Sequence, residues 1–436
     1  MLLNKEIISN GLGFTAMQST KFKSSVLVFS VTVPLCAEYS INNVLLSGLL
    51  RRGTHSFPTM ASLNKNLDEL YGSYIEIRNS TLGNNLSLTV SAEVLDGKYV
   101  PDGTDVIGGV IDIISEIFLR PHFCEEAFDI NVFEQEKKIF EDNVLAEKNN
   151  TRSYSIKRCM ELMSEGVSLA PAHTELIPLI RSTSFADVKD YFVNVLARSP
   201  LNVFFIGSED PEYIREKISQ GFFKKDFTLT HERIPLLPYS RKEFSCICEK
   251  MAVSQGKLAL GFSTGTLISS ESDEYYTAMM FNEIFGGSPS SKLFLNVREK
   301  MSLCYFCSSS YSIYNGTVLV SCGIDPSKHE LAKRAILDQL QQIREGNISE
   351  SELAAARKSI SNSYLQIYDS PFDIQAFYSG RRFFGVDDSI EKFIQKIMRV
   401  TKDQIKALAN KVSLDAEFFV DGTEGGDDGE EDFDND

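Results

Sequence analysis

The most informative segment of this chain runs Val44-Leu45-Leu46-Ser47-Gly48-Leu49-Leu50-Arg51-Arg52-Gly53-Thr54. Apolar residues recur at helical spacing from about residue 40 to residue 50, which predicts a helix that ends before Gly53. Val44 and Gly48 carry no metal-binding atom in their side chains, and Ser47 has no local acid or base to activate it. We therefore expect neither metal binding nor water activation on this turn.

Two later segments combine charged and aromatic residues. The first, in a helix predicted near residues 126–147, reads Glu134-Gln135-Glu136-Lys137-Lys138-Ile139-Phe140-Glu141-Asp142-Asn143. The second joins a helix predicted over 291–300 to a strand predicted over 304–313, and reads Phe294-Leu295-Asn296-Val297-Arg298-Glu299-Lys300-Met301-Ser302-Leu303-Cys304-Tyr305. The guanidinium of Arg298 and the phenol of Tyr305 can donate hydrogen bonds to a peptide carbonyl. The simpler alternative is an ion-paired arginine and a half-buried strand tyrosine.

Together these segments resemble the motifs of the insulinase (pitrilysin) zinc peptidases. In that family the first segment has the sequence His-x-x-Glu-His, followed by apolar residues, a basic residue and Gly-Thr. In this chain Val44 stands at the first His, Ser47 at the Glu and Gly48 at the second His, while Arg52-Gly53-Thr54 keeps the end of the motif. The resemblance implies a degenerate zinc helix that supplies no catalytic residue.

The third zinc ligand of the family is a Glu from a later helix. Glu136 matches the acidic residue that precedes this ligand, and Asn143 stands at the ligand position itself. The neighbouring Glu141 and Asp142 could shift into register. One carboxylate without two His residues is still a poor zinc site, so we expect no metal and no cofactor in this chain.

The family also has a motif Phe-x-x-Leu-Arg-Glu-x-x-Gly-Leu-Ala-Tyr, whose Arg and Tyr reach the substrate. The matching residues are Arg298 and Tyr305, which the resemblance implies are substrate-binding. The chain departs from the motif at Ser302, where Gly is usual, and at Cys304, where Ala is common. Both replacements are small, so we expect the turn into the strand to survive.

The order of predicted strands and helices repeats along the chain, with Leu70–Tyr74 and Met301–Tyr305 at equivalent places. Runs of strands mixed with long helices indicate an α+β fold. The resemblance implies two homologous α/β sandwich halves, like those of mitochondrial processing peptidase and insulinase, each a mainly antiparallel sheet covered by helices. The predicted ranges are an N-terminal half over 1–226, a linker over 227–245, a C-terminal half over 246–420 and a disordered acidic tail over 421–436.

Composition restricts the function classes. The formal net charge of −16 argues against nucleic-acid binding and suits a basic peptide or partner surface. No apolar run reaches membrane-spanning length, and the first residues lack the apolar core of a secretion signal, so we expect a cytoplasmic protein without membrane contact. None of the five histidines stands four residues from another, so a replacement metal site is not expected there.

The eight cysteines are scattered through mostly apolar runs, as expected of small buried residues in a reducing compartment. One spacing, Cys304-x-x-Cys307, suggests chemistry. Because strand residues three apart point to opposite faces, we expect these two cysteines to be structural rather than a metal site. An unrelated activity that uses this pair is the weaker alternative.

The resemblance implies that the chain is the non-catalytic subunit of a heterodimeric zinc metallopeptidase. An active sister subunit would supply zinc, and the two chains would enclose an unstructured peptide substrate in a shared chamber. Unfolded peptides, leader peptides and prosequences are the expected substrates. The alternative is a peptide-binding or structural scaffold homodimer without proteolysis.

Overall fold

The computed structural model describes residues 3–9, 11–222, 227, 234–239 and 243–422. Much of the predicted linker over 227–245 lies outside these ranges, and so does the predicted acidic tail from residue 423 onward. The expectation of a disordered tail was wrong for Asp421 and Gly422, because these two residues complete the last strand of the second sheet. Backbone pairing across a sheet overrides the polar composition there.

The chain forms two compact units. The first comprises Met1–Leu145, Leu169–Pro235 and Asp369–Phe377, and the second comprises Ala146–Ser168, Leu236–Tyr368 and Tyr378–Asp436. The strands of the first unit are β1 Leu3–Ser9, β2 Leu12–Gln18, β3 Ser24–Pro34, β4 Tyr74–Thr81, β5 Asn85–Leu95 and β6 Leu201–Gly207. Its main helices are α1 Ala37–Arg51, α2 Met60–Glu69, α3 Val106–Leu119, α4 Ile130–Ala146, α6 His173–Ser182, α7 Phe185–Asp190 and α8 Pro211–Gly221.

The strands of the second unit are β7 Ser245–Met251, β8 Gly256–Ser263, β9 Cys304–Ser312, β10 Thr317–Ile324 and β11 Ser413–Gly422. Its main helices are α5 Thr151–Ser164, α9 Glu274–Asn282, α10 His329–Glu345, α11 Glu350–Gln366, α13 Ile390–Arg399 and α14 Lys402–Ala409. A further helix of π character spans Leu293–Lys300. Helix α12, Pro371–Phe383, contributes residues to both units.

The first sheet has the strand order β1-β2-β6-β3-β5-β4. Only β2 and β6 run parallel, and the other neighbours are antiparallel. Strand β3 has the continuous apolar run Val26–Phe29, whereas β5 alternates apolar and polar residues from Leu86 to Val94. The apolar helix α3 packs on β5, which gives the apolar face of this strand a buried partner.

The second sheet has the order β7-β11-β8-β10-β9, in which only β7 and β11 run parallel. Every residue of β8 and β10 is buried. Strand β9 forms one outer edge of this sheet. Two mainly antiparallel sheets with covering helices confirm the predicted α+β sandwich architecture.

Helix α5 packs on the second sheet although it lies within the first half of the sequence. Its Cys159 and Met163 are fully buried beside Ala259 and Phe418. A Cβ built on Gly261 of β8 would lie 2.3 Å from the sulfur of Met163, so the glycine allows this close approach. The position of α5 in the sequence does not indicate this packing. The division into related halves over 1–226 and 246–420 stays a prediction.

A left-handed residue precedes an edge strand in each unit. Tyr71 has φ +59° shortly before β4, and Ser302 has φ +49° shortly before β9. These are the two non-glycine residues with positive φ among the described residues, and they stand at the second position of the equivalent segments Leu70–Tyr74 and Met301–Tyr305. The match supports the repeat that the sequence indicates. Over the ranges given above, every helix is too short or too polar to cross a membrane.

Candidate functional site

The degenerate zinc helix is α1. Cys36 caps its first turn, because the backbone N–H of Tyr39 donates to the Cys36 sulfur. The Ser47 hydroxyl donates to the Val44 carbonyl at 2.8 Å and accepts from the Asn79 side chain at 2.7 Å. Ser47 therefore serves as a hydrogen-bond link between α1 and β4, and neither the Val44 carbonyl nor the Asn79 amide is a base that could activate it as a nucleophile.

Glu136 of α4 lies against Gly48. A Cβ built on Gly48 would lie 2.2 Å from Oε2 of Glu136. Nε of Arg52 donates to Oε1 of the same carboxylate at 2.5 Å, and the Glu136 side chain is only 13% exposed. The position where the family has its second His is thus closed by a carboxylate that an arginine neutralises.

The remaining zinc-ligand positions do not fit a metal ion either. Val44 offers only carbon atoms, and Asn143 is exposed on α4. The neighbouring carboxylates are engaged elsewhere, since Glu141 accepts from Arg181 at 2.5 Å and Asp142 from Lys138 at 2.6 Å. Catalytic zinc needs three imidazole or carboxylate ligands beside an open coordination position, and α1 and α4 do not offer such a set.

The second candidate site is an open groove at the start of β9. It has a volume of about 390 Å³ and is lined by Arg298, Glu299, residues 302–305, Asp325 and Lys328. The turn that forms it requires a left-handed residue, and Ser302 takes that conformation where the family uses Gly. The structure therefore brings Arg298 and Tyr305 to one surface, as their motif indicates.

Both predicted substrate-binding side chains are accessible. Tyr305 is 68% exposed, and its hydroxyl has no hydrogen-bond partner among the described residues. The Arg298 side chain is 40% exposed, lies over the ring of Phe294 at 4.7 Å, and has Glu299 as its nearest carboxylate at 3.7 Å. A loose ion pair of this kind contributes little to stability, so the guanidinium remains able to bind a carbonyl or carboxylate.

The expectation that Cys304 and Cys307 point to opposite faces was wrong. Cys307 pairs with Cys322, Phe306 with Gly323, and Cys304 with Ile324, so Tyr305 is an extra residue in a β-bulge. A bulge adds one residue to the strand and returns Cys304 to the face of Cys307. The sulfur atoms of Cys304, Cys307 and Cys322 consequently lie within 4.8 Å of one another.

The three thiols differ in environment. Cys307 and Cys322 are buried, whereas Cys304 is partly exposed and lines the groove. Hydrogen bonds from the thiols of Cys307 and Cys322 lower the pKa of Cys304, and the nearby Arg298 guanidinium acts in the same direction. The contact with Cys304, together with burial, raises the pKa of Cys307 and of Cys322, and the contact with Cys307 acts in the same direction on Cys322.

Sequence reasoning missed three residues of this region. Cys322 joins the cysteine pair only through the β9–β10 register, which no local pattern encodes. Asp325 and Lys328 reach the groove because β10 ends beside the start of β9. The signal that could have found Asp325 is the Asp-Pro-Ser turn after an apolar strand, where its carboxylate caps Ser327 at 2.9 Å.

The chain is similar in sequence to one family model and to several curated proteins. Residues 182–360 match the family model described as Peptidase M16 inactive domain. A protein of Bacillus subtilis, named probable inactive metalloprotease YmfF, is 29% identical over 96% of this chain and 98% of its own length. An uncharacterized zinc protease of Rickettsia bellii is 28% identical over 37% of this chain and 39% of its own length.

Two solved structures share the fold. A conserved protein from Enterococcus faecalis has a TM-score of 0.86 at 24% identity and covers 98% of this chain and 100% of its own. A peptidase M16 inactive domain from Pseudomonas fluorescens has a TM-score of 0.75 at 15% identity, over 97% and 99% of the two chains. With its degenerate zinc helix and its Arg298–Tyr305 segment, this chain is similar to inactive homologues of the M16 (insulinase) peptidase family.

Proposed function

We propose that this chain is the non-catalytic subunit of a heterodimeric zinc metallopeptidase. A sister subunit with an intact His-x-x-Glu-His supplies zinc and the general base. This chain supplies part of the chamber wall and presents Arg298 and Tyr305 to a peptide substrate. The observation that carries the proposal is the contrast between the two motifs: the zinc-helix position is closed by Glu136, whereas Arg298 and Tyr305 are accessible in an open groove.

The chemistry of the groove supports peptide binding. A guanidinium and a phenol O–H both donate hydrogen bonds, and neither carries a negative charge, which suits the carbonyl of a peptide and the oxyanion formed when that carbonyl is attacked. The two side chains are held by different elements, the Leu293–Lys300 helix and strand β9, and these elements are in contact. Their spacing is therefore fixed by the fold rather than by a mobile loop.

Strand β9 offers a second mode of contact. It is an outer strand of the second sheet, and Tyr305 is its second residue. An extended peptide can add to such an edge through main-chain hydrogen bonds, which gives affinity with little dependence on sequence. Unstructured peptides, leader peptides and prosequences fit this mode because they have no fold of their own to unfold first.

The charge of the chain and its thiols support two further parts of the proposal. A formal net charge of −16 favours basic substrates or a basic partner surface. All eight cysteines lie in the described part of the chain and carry thiols rather than disulfides, which suits a reducing cytoplasmic location.

A reconstitution experiment tests the proposal. Hydrolysis of a quenched unstructured peptide is measured for this chain alone, for a zinc-bearing M16 peptidase from the same genome alone, and for their mixture. We expect hydrolysis in the mixture that exceeds the sum of the separate activities, together with a one-to-one complex in sedimentation. Activity that does not change on mixing, with this chain sedimenting as a dimer of itself, would instead favour the scaffold homodimer.

A further inference from the structure

The bulge at Tyr305 gathers three thiols that are far apart in sequence. Cys322 and Cys307 are direct partners across β10 and β9, and the bulge turns Cys304 onto the same face. Their sulfur atoms lie within 4.8 Å of one another. Among the described residues, this is the only group of three or more Cys, His, Asp or Glu side chains that converges in this way.

We propose that Cys304, Cys307 and Cys322 form a three-thiolate site for a thiophilic divalent metal ion, zinc in the first place, whose fourth coordination position opens to the groove. The site is separate from the degenerate zinc helix and does not depend on the proposed peptidase partnership. The expectation of no metal in this chain rested on the degenerate zinc helix, on the scattered histidines and on the spacing of Cys304 and Cys307, and it did not include Cys322.

The geometry is close to what zinc requires. Sulfur atoms bonded to one tetrahedral zinc at about 2.3 Å lie roughly 3.8 Å apart, so the three thiols need to close by no more than about 1 Å. Cys307 and Cys322 are buried partners on the paired strands β9 and β10, and such a backbone holds its side chains in place without a metal. Three sulfur ligands also select zinc over magnesium or calcium, which prefer oxygen.

The surroundings provide access and charge balance. Cys304 is partly exposed and lines the groove, so an ion can enter there, and a water molecule can complete the coordination. Three thiolates with one Zn²⁺ leave one net negative charge. The groove lining offers Arg298 and Lys328 as counter-charges, beside the carboxylates of Glu299 and Asp325. Each thiol that is protonated before binding releases its proton to solvent.

Competing surface thiols must be removed before the site is tested. Cys246 and Cys248 are exposed on β7 and could bind metal ions non-specifically. The experiment therefore uses the full chain with Cys246→Ser and Cys248→Ser, reduced and freed of metal. Cys36→Ser serves as the matched control, because Cys36 caps α1 and serine is itself a favourable capping residue.

Titration with Co²⁺, followed by displacement with Zn²⁺, is the measurement. We expect one Co²⁺ per chain with a thiolate-to-cobalt charge-transfer band, which Zn²⁺ abolishes. Cys304→Ser and Cys322→Ser should each remove the band, whereas Cys36→Ser should retain it. Absence of stoichiometric binding, binding without the band, or a band that persists in both cluster variants would overturn the proposal.

A second measurement does not depend on whether the cysteine-cluster variants fold. The rate at which iodoacetamide alkylates Cys304 is followed by mass spectrometry in the chain that lacks Cys246 and Cys248, with and without one equivalent of Zn²⁺. A bound metal protects the thiolate, so we expect alkylation to slow at least about tenfold. An unchanged rate would contradict the site even if Cys322→Ser fails to fold.

Discussion

The carboxylate of Glu136 occupies the space beside Gly48 that a side chain at that position would need. Oε2 of Glu136 would lie 2.2 Å from a Cβ on Gly48, and Arg52, one turn further along α1, holds the other oxygen. The ion pair connects α1 to α4 within the first unit. In this homologue a charge pair thus stands where a metal would connect the two helices in a zinc peptidase.

This relationship predicts that the effect of Gly48→Ala depends on Glu136. Alanine favours a helix interior by about 1 kcal/mol over glycine, but the new methyl group must displace the carboxylate. We expect Gly48→Ala to destabilise the chain or leave it unchanged, and to stabilise it by about 0.5–1 kcal/mol when Glu136→Ala is also present. Urea unfolding of the four variants measures this coupling, and equal effects in both backgrounds would contradict the contact.

Packing of α5 on the second sheet leads to a second prediction. Because a Cβ on Gly261 would lie 2.3 Å from the Met163 sulfur, Gly261→Ala should lower the free energy of unfolding by about 1–3 kcal/mol. Met163→Ala creates space for the methyl group, so the same substitution in that background should cost less. A thermal-unfolding series of both single variants and the double variant checks this, and strictly additive effects would argue against the contact.

The left-handed turn before β9 gives a third prediction. Ser302 has φ +49°, a conformation that costs a non-glycine residue about 1 kcal/mol. Ser302→Gly should therefore stabilise the chain by about 0.5–1 kcal/mol, although glycine gains entropy in the unfolded state. The matched control is Ser310→Gly, at an exposed position within β9, where glycine should destabilise the folded chain. If the denaturant midpoints of the two variants shift in the same direction, the left-handed conformation of Ser302 does not carry the expected cost.

A buried carboxylate provides a prediction about pH. Glu417 on β11 is fully buried and lies 2.6 Å from His329 Nε2 and 2.5 Å from Lys333 Nζ, both on α10. Burial opposes its ionisation, but the hydrogen bonds from His329 and Lys333 outweigh this effect and lower the pKa of Glu417. A lowered folded-state pKa stabilises the protein above the ordinary pKa of Glu, and this stabilisation is lost as the pH falls through the folded-state value.

Glu417→Gln should accordingly destabilise the chain by about 3 kcal/mol at neutral pH, because it leaves Lys333 without its buried counter-charge. The difference from the unsubstituted chain should shrink once the pH falls below about 4.5. Glu330→Gln is the control, because Glu330 is exposed and its carboxylate comes no closer than 3.7 Å to His329. This substitution should change the free energy of unfolding by no more than about 0.5 kcal/mol. Unfolding curves between pH 3 and pH 7 in which the Glu417→Gln difference stays constant would refute the linkage.

Local periodicity was enough to predict most helices and the central strands. The helix predicted over 291–300 is present as Leu293–Lys300, and the strand predicted over 304–313 is β9, Cys304–Ser312. Strands β1, β2, β7 and β11 were not predicted, because edge and terminal strands carry a weaker apolar pattern. The accessible positions of Arg298 and Tyr305 followed from a motif, which encodes a turn and a strand together.

Contacts between distant segments could not be predicted in the same way. The position of Cys304 depends on one bulge residue, and period-two reasoning fails wherever a bulge interrupts the ladder. The neighbours of α5 depend on which sheet its Cys159 and Met163 meet, and the helix pattern is the same for either sheet. The closure of Gly48 by Glu136 likewise needs the packing of α1 on α4, which lies outside any local window.

The central claim concerns what Arg298 and Tyr305 do for a zinc-bearing partner. Removing one donor to a developing oxyanion typically costs about 100-fold in turnover. The matched control for Arg298→Ala is Arg334→Ala, an exposed arginine on α10 outside the groove. Tyr305→Phe keeps the ring and removes only the hydroxyl, and Tyr99→Phe, at an exposed position of the first unit, is its control.

The most direct measurement is peptide turnover by the mixed complex that contains Arg298→Ala, at concentrations where sedimentation shows complete assembly. The account predicts turnover about 100-fold below that of the Arg334→Ala complex, with the same sedimentation coefficient. Equal turnover of the two complexes would contradict a contribution of Arg298 to the reaction and leave this chain as a structural subunit.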